Sequence, residues 1–173
     1  IPFAKPPVGD LRWKAPRELD GYPETFKATT LPNRCMQVSN FYDSMDGIEG
    51  ESIIGSEDCL YLNIYLSEKA YKSKEKLPVV FWIHGGGNTW GYSASNIFTS
   101  GDFILDHDVI LVTTNYRLGP FGWFAYSGLN QDSENPLDRT ANFGTLDIIK
   151  SLEWVNKYIS FFNGDPENIT IFG

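Results

Sequence analysis

Metal-ligating and redox-active side chains are scarce in this sequence, which holds 2 Cys, 2 His and 2 Met in 173 residues. Cys35, Cys59, His84 and His107 form no zinc motif or ligand cluster, so no metal site is expected. Long apolar runs are also missing. The stretches at 78–83 and 109–114 are far too short to span a bilayer. Basic residues are outnumbered, 14 against 22 acidic ones for a net charge of −8, and they are scattered, which leaves no nucleic-acid footprint. Neither G-x-G-x-x-G nor G-x-x-x-x-G-K-[ST] occurs, and no cofactor is implied. The chain opens without a Met, a charged n-region or an apolar signal segment, and it closes on Ile169–Phe172, inside what reads as a strand. It is therefore expected to be the N-terminal part of one domain, 1–173, truncated at both ends.

What is present is a core. A hydrophobic content of 42% with 15% aromatics excludes a disordered chain. Residues 1–34, punctuated by Pro2, Pro6, Pro7, Pro16, Pro23 and Pro32, suit an extended, turning segment. The polar stretch 40–56 reads as a loop, 60–66 as a β-prone strand and the charged stretch 69–76 as a linker. The Val-, Ile- and Leu-rich runs 78–83 and 109–114 predict strands buried on both faces. A short helix is expected within 95–106. A clearer one spans 141–162, with Phe143, Leu146, Ile149, Leu152, Val155 and Ile159 on one face, stopped by Asn163-Gly164-Asp165-Pro166. Alternating strands and helices predict an α/β sheet with crossover connections.

The run His84-Gly85-Gly86-Gly87 follows the second of these strands directly. Consecutive glycines there leave backbone N–H groups unshielded, as an oxyanion hole requires, although a plain tight turn would use the same residues. The two cysteines are equally open between buried thiols and a single disulfide.

Six blocks in order resemble the type-B carboxylesterases, which include the cholinesterases, within the α/β-hydrolase fold. They are Pro2–Gly9 with Leu11-Arg12-Trp13, Glu57–Asn63, His84–Gly87, Asn115–Pro120, Asn142-Phe143-Gly144 and Gly164–Gly173. The resemblance implies a mixed, mostly parallel central sheet with flanking helices, incomplete in this chain. It implies a carboxylic ester hydrolase acting on a small-molecule ester without a cofactor. Gly86 and Gly87 would be the oxyanion donors, Gly85 would support the turn, and His84 would be structural. Cys35 and Cys59 would form a disulfide, which favours a secreted or lumenal location. Arg12 with Glu57, and Arg117 with Asp147, would be structural ion pairs. Gly173 matches the first glycine of a G-x-S-x-G elbow, which puts the nucleophile and its partners beyond this chain.

Some positions depart from the family pattern. Asn88 stands where relatives often carry an aromatic, and Ile148 where a Gln is common. Trp90, Phe121, Trp123 and Phe124 are candidates to line a substrate gorge, with ordinary core packing as the alternative. Asn168-Ile169-Thr170 is a glycosylation sequon. A fold of this kind can also serve as a non-catalytic, cholinesterase-like adhesion module, because function lives in the site rather than in the fold.

Overall fold

The structure is a computed structural model that describes residues 1–173 except 46, 49, 74 and 96–106. The short helix expected within 95–106 lies almost wholly outside the described residues. Two small strands, β1 (Gln37–Val38) and β2 (Ile53–Ile54), pair antiparallel and bracket the short helix α1 (Phe41–Met45). The stretch read as a loop thus carries its own small ladder. Ser39 holds it together: its hydroxyl donates to the Gly50 carbonyl at 2.7 Å and accepts from the Ser52 N–H at 2.9 Å.

The main sheet begins with β3 (Leu62–Tyr65), two residues inside the expected span at its start and one at its end. Next comes α2 (Glu68–Lys72), where the charges had suggested a linker. Local chemistry makes the difference. Ser67 caps the helix by accepting from the Ala70 N–H at 3.0 Å, Glu68 and Lys72 pair one turn apart, and Ala70 is buried. Strands β4 (Leu77–Ile83) and β5 (Ile110–Thr114) follow, then the single turn α3 (Gly119–Trp123) and the long helix α4 (Phe143–Tyr158). Helix α4 tightens into a 3-10 turn over Ile159–Phe162 and leads into β6 (Gly164–Phe172). That strand starts at Gly164 rather than Ile169, and its pairing with β4 slips between Leu77 and Val79 before regular register resumes.

Strand order is β3-β5-β4-β6, with β3 antiparallel to β5 and the other two pairings parallel. Every residue of β5 is buried, as its continuous apolar run requires of a central strand. Val79 and Phe81 of β4 join Ile110 and Val112 of β5, with Val155 and Ile159 from α4 and its extension, in one core. Gly164 begins β6 beneath that helix end, where an added Cβ would stand 2.5 Å from Ile159 Cγ1.

The buried face of α4 differs from the expected one. Phe143, Val155 and Ile159 are buried as expected, but Ile149 is 49% exposed and Gly144, Asp147 and Ser151 face inward. The helix is turned so that Asp147 meets Arg117: Oδ2 accepts from Arg117 Nε at 2.8 Å and from its backbone N–H at 3.0 Å, and Oδ1 accepts from Nη2 at 2.7 Å. Burial holds the Asp147 carboxyl above its ordinary value, and the Arg117 guanidinium offsets only part of that rise. Arg12 and Glu57 also pair, Nε to Oε2 at 2.5 Å, but half in solvent. Two further pairs had no signal in the sequence. Arg17 reaches buried Asp138 at 2.6 Å, and Arg34 reaches Asp43 at 2.9 Å while covering the Tyr92 ring at 4.2 Å. Cys35 and Cys59 are joined by a disulfide.

Asp147→Ala leaves a guanidinium buried without its counter-charge, and is expected to cost about 3–5 kcal/mol of stability in urea unfolding of the full-length protein. The double replacement Arg117→Met/Asp147→Leu removes both charges and is expected to recover most of that loss. A single variant within about 1 kcal/mol of the parent would show that the pair does not anchor α4.

Candidate active site

The glycine turn emerges where β4 runs out of partners. His84 is the first residue past Ile83, and it is buried while the glycines beyond it are not. Its ring stacks on Tyr116 at 4.4 Å with an interplanar angle of 15°. The Tyr116 hydroxyl donates to the His84 carbonyl at 2.9 Å. Burial pushes that phenol up to about 12, so it keeps its proton for the bond. His84 Nδ1 lies 2.9 Å from the Gly85 carbonyl. A carbonyl can only accept, so Nδ1 carries the hydrogen, and Nε2 is a bare, buried lone pair with no partner among the described residues.

Three successive residues then take positive φ: Gly86 at 118°, Gly87 at 59° and Asn88 at 63°. Gly86 is confined further, because an added Cβ would meet Trp90 O at 1.9 Å. At Gly87 the space is open and only the left-handed backbone favours glycine, while at Gly85 neither restriction applies. Gly91 is sealed as well, since a Cβ there would stand 2.0 Å from His84 Nδ1. The turn closes on itself. The Gly86 carbonyl accepts from the Thr89 N–H at 3.1 Å, the Thr89 hydroxyl at 3.0 Å and the Trp90 N–H at 3.3 Å. Among the described residues no acceptor takes the N–H of Gly86 or of Gly87. These two N–H groups are therefore unengaged within the turn.

Neighbouring elements fix the turn in place. The Asn88 carbonyl accepts from the Gly119 N–H at 2.7 Å, which ties the turn to the start of α3. Gln37 exchanges two bonds with Gly91, its Nε2 donating to the carbonyl at 2.8 Å and its Oε1 accepting from the N–H at 2.9 Å. Nothing in the sequence singled out Gln37. Its role depends on the fold bringing β1 beside a loop more than fifty positions away. Asn115, fully buried, accepts from the Ser93 N–H at 3.0 Å and donates to the Asn33 and Cys59 carbonyls.

A cavity of about 100 Å³ opens beside the turn, lined by Arg34, Asp43, His84, Gly86, Trp90 and Tyr92 among others. Of the other aromatics, Trp123 sets its edge against Tyr116 at 6.1 Å, Phe124 packs on Trp13 at 4.9 Å, and Phe121 lines a small cavity together with Cys35 and Cys59. At the end of β6, Gly173 lies so close to β4 that an added Cβ would stand 2.6 Å from the Ile83 carbonyl. Strand β6 therefore ends at the root of the glycine turn. Asn168 is exposed midway along it.

Searches of known structures and sequences agree with this architecture. The chain superposes on a solved PNB esterase with a TM-score of 0.83 at 37% identity, covering 100% of this chain and 33% of that one. The carboxylesterase EST55 of Geobacillus stearothermophilus gives 0.78 at 37% identity, again over 100% of this chain and 33% of the other. The fold is that of the α/β-hydrolases, with the mixed sheet and flanking helices that the sequence implied. Residues 1–173 match the carboxylesterase family, and the chain belongs to it, on the type-B side that includes the cholinesterases. It is 39% identical over 173 residues to the para-nitrobenzyl esterase of Bacillus subtilis (strain 168), of which it covers 33%. To the acetylcholinesterase 1 of Caenorhabditis briggsae it is 39% identical over 178 residues, covering 27%. The chain thus spans about a third or less of the length of the relatives it matches.

Burial lowers the His84 imidazole from 6.5 to about 4, with the Gly85 carbonyl opposing the shift. Between those values the unfolded chain binds a proton that the native chain refuses. The contribution of His84 to stability is therefore complete above about pH 6.5 and shrinks as pH falls toward 4, by about 3 kcal/mol in all. His84→Phe is expected to flatten that part of the stability profile of the full-length protein. An unaltered slope would assign the acid loss to other groups.

Proposed function

We propose that the full-length protein carrying this chain is a serine carboxylic ester hydrolase, with Gly86 and Gly87 supplying two donors of its oxyanion hole. The observation that supports this most directly is the pair of unengaged N–H groups on a turn that packing prevents from relaxing. The end of β6 beside Ile83 gives the reading a geometric partner. In this reading the residue two positions past Gly173 is a serine, carried on the strained turn that follows the strand. Its hydroxyl oxygen attacks the ester carbonyl carbon while a histidine takes the proton. The carbonyl oxygen becomes an anion held by Gly86, Gly87 and one N–H following the nucleophile. The alcohol leaves with the histidine's proton, and water then hydrolyses the acyl-enzyme by the same route. No metal or cofactor takes part. Each oxyanion donor is worth roughly 3–4 kcal/mol of transition-state stabilisation in sites of this kind.

The substrate class is a small-molecule ester. Asn88, in place of an aromatic, is exposed on the turn, and Trp90 borders the adjoining cavity. The disulfide between Cys35 and Cys59 supports a secreted or lumenal site of action, where such bonds persist. Asn168, exposed within its sequon, is a candidate for glycosylation there. The ion pairs Arg12–Glu57 and Arg117–Asp147 serve the scaffold rather than the chemistry.

In the full-length protein Gly86→Ala drives a methyl group into the Trp90 carbonyl, and is expected to cut kcat/KM for a short-chain aryl ester by at least about a hundredfold. Activity within a few-fold of the parent would remove Gly86 from the oxyanion hole. A residue other than Ser two positions past Gly173 would point instead to a non-catalytic binding module on the same fold.

A further inference from the structure

We propose that His84 and Thr89 are positioning residues that aim and polarise the two donor N–H groups by holding the carbonyls of the same peptide units. The inference rests on the oxyanion reading of Gly86 and Gly87. A peptide unit is planar and trans, so its C=O and N–H point in opposite directions from one rigid plate. The Gly85 carbonyl and the Gly86 N–H share one such plate, and the Gly86 carbonyl and the Gly87 N–H share the next. Whatever grips the carbonyl from behind therefore sets where the N–H points in front.

Each plate has its own grip. His84 Nδ1 holds the Gly85 carbonyl at 2.9 Å, and the Thr89 hydroxyl holds the Gly86 carbonyl at 3.0 Å, helped by the N–H groups of Thr89 and Trp90. The two grips differ in exposure, His84 being buried and Thr89 exposed. His84 is clamped by its stack on Tyr116 and by Gly91, where no Cβ could fit beside Nδ1. The Thr89 hydroxyl lies within the turn that its own backbone N–H closes. A hydrogen bond to a carbonyl also draws electron density away from its amide nitrogen, which makes that N–H a better donor. Both effects act most strongly on an anionic oxygen and least on a neutral carbonyl. They should appear in the transition state rather than in substrate binding. His84 thus acts without touching the substrate, and its buried, bare Nε2 is consistent with a ring held for the sake of Nδ1.

The test uses the full-length enzyme with His84→Phe, His84→Asn and Thr89→Val. Phenylalanine keeps the stacked ring but has no donor. Asparagine gives up the ring but places an N–H close to where Nδ1 stood. The readouts are kcat/KM for a short-chain aryl ester and inhibition by a trifluoromethyl ketone, whose adduct with the nucleophile carries an oxyanion. The matching methyl ketone, which forms little adduct, reports ground-state binding. His84→Phe is expected to weaken kcat/KM and trifluoromethyl ketone inhibition together, by roughly three- to tenfold, with methyl ketone binding unchanged. His84→Asn should recover most of that loss. Thr89→Val should cost less, about two- to threefold, because two backbone donors still hold its carbonyl. If Gly86→Ala abolishes inhibition while His84→Phe stays within twofold of the parent, the positioning role is refuted and the oxyanion reading survives. If trifluoromethyl ketone inhibition is indifferent to Gly86→Ala as well, the oxyanion reading itself fails. A loss in His84→Phe that His84→Asn does not relieve also refutes the proposal, since it would mark the ring as packing alone.

Discussion

The buried contact between Arg117 and Asp147 is the constraint from which the arrangement of the other elements follows. Arg117 stands just past the end of β5, and Asp147 lies one turn into α4. Three hydrogen bonds join them where neither side chain sees water. Desolvating two charges is expensive, so such a contact adds less to stability than its geometry suggests. What it does impose is rotation: α4 can present only the face that carries Asp147 to the sheet. The burial of Val155 and Ile159, the exposure of Ile149 and the entry of β6 beneath the helix end all follow from that choice.

The glycine turn is built on this frame by exhausting local alternatives. Strand β4 ends at Ile83, and from there backbone groups are claimed one after another. Tyr116 takes the His84 carbonyl, His84 the Gly85 carbonyl, and Thr89 and Trp90 the Gly86 carbonyl. Three successive carbonyls are engaged, while among the described residues the N–H groups of Gly86 and Gly87 are not. That imbalance is costly in a buried loop, but here Gly86 is half-buried and Gly87 is exposed. The turn itself, His84–Thr89, carries no cationic side chain.

Much of this was legible in the sequence because it depends on local composition. The apolar runs of β4 and β5 and the threefold glycine can be read by eye, and the order of the six blocks carries the family. What escaped depends on distance or on a single cap. Ser67 converts a charged linker into a helix with one hydrogen bond, against which composition argues weakly. The ladder around Ser39 and the exchange between Gln37 and Gly91 arise only once the chain has folded back on itself. Periodicity assigned Ile149 to the core because it counts apolar residues, and it cannot know that an aspartate will be paid its counter-charge inside.

The spacing around the glycines also makes the turn unequal in what it can tolerate. On its inner side Gly86 and Gly91 are sealed by Trp90 and His84, and a single added carbon would collide with backbone or with the imidazole. On its outer side Gly85 has ordinary backbone angles and empty space where a side chain would go. Variation can therefore enter this site through one door. A directed library or a drifting lineage could place a new side chain at position 85, beside the cavity, without a collision at its first carbon.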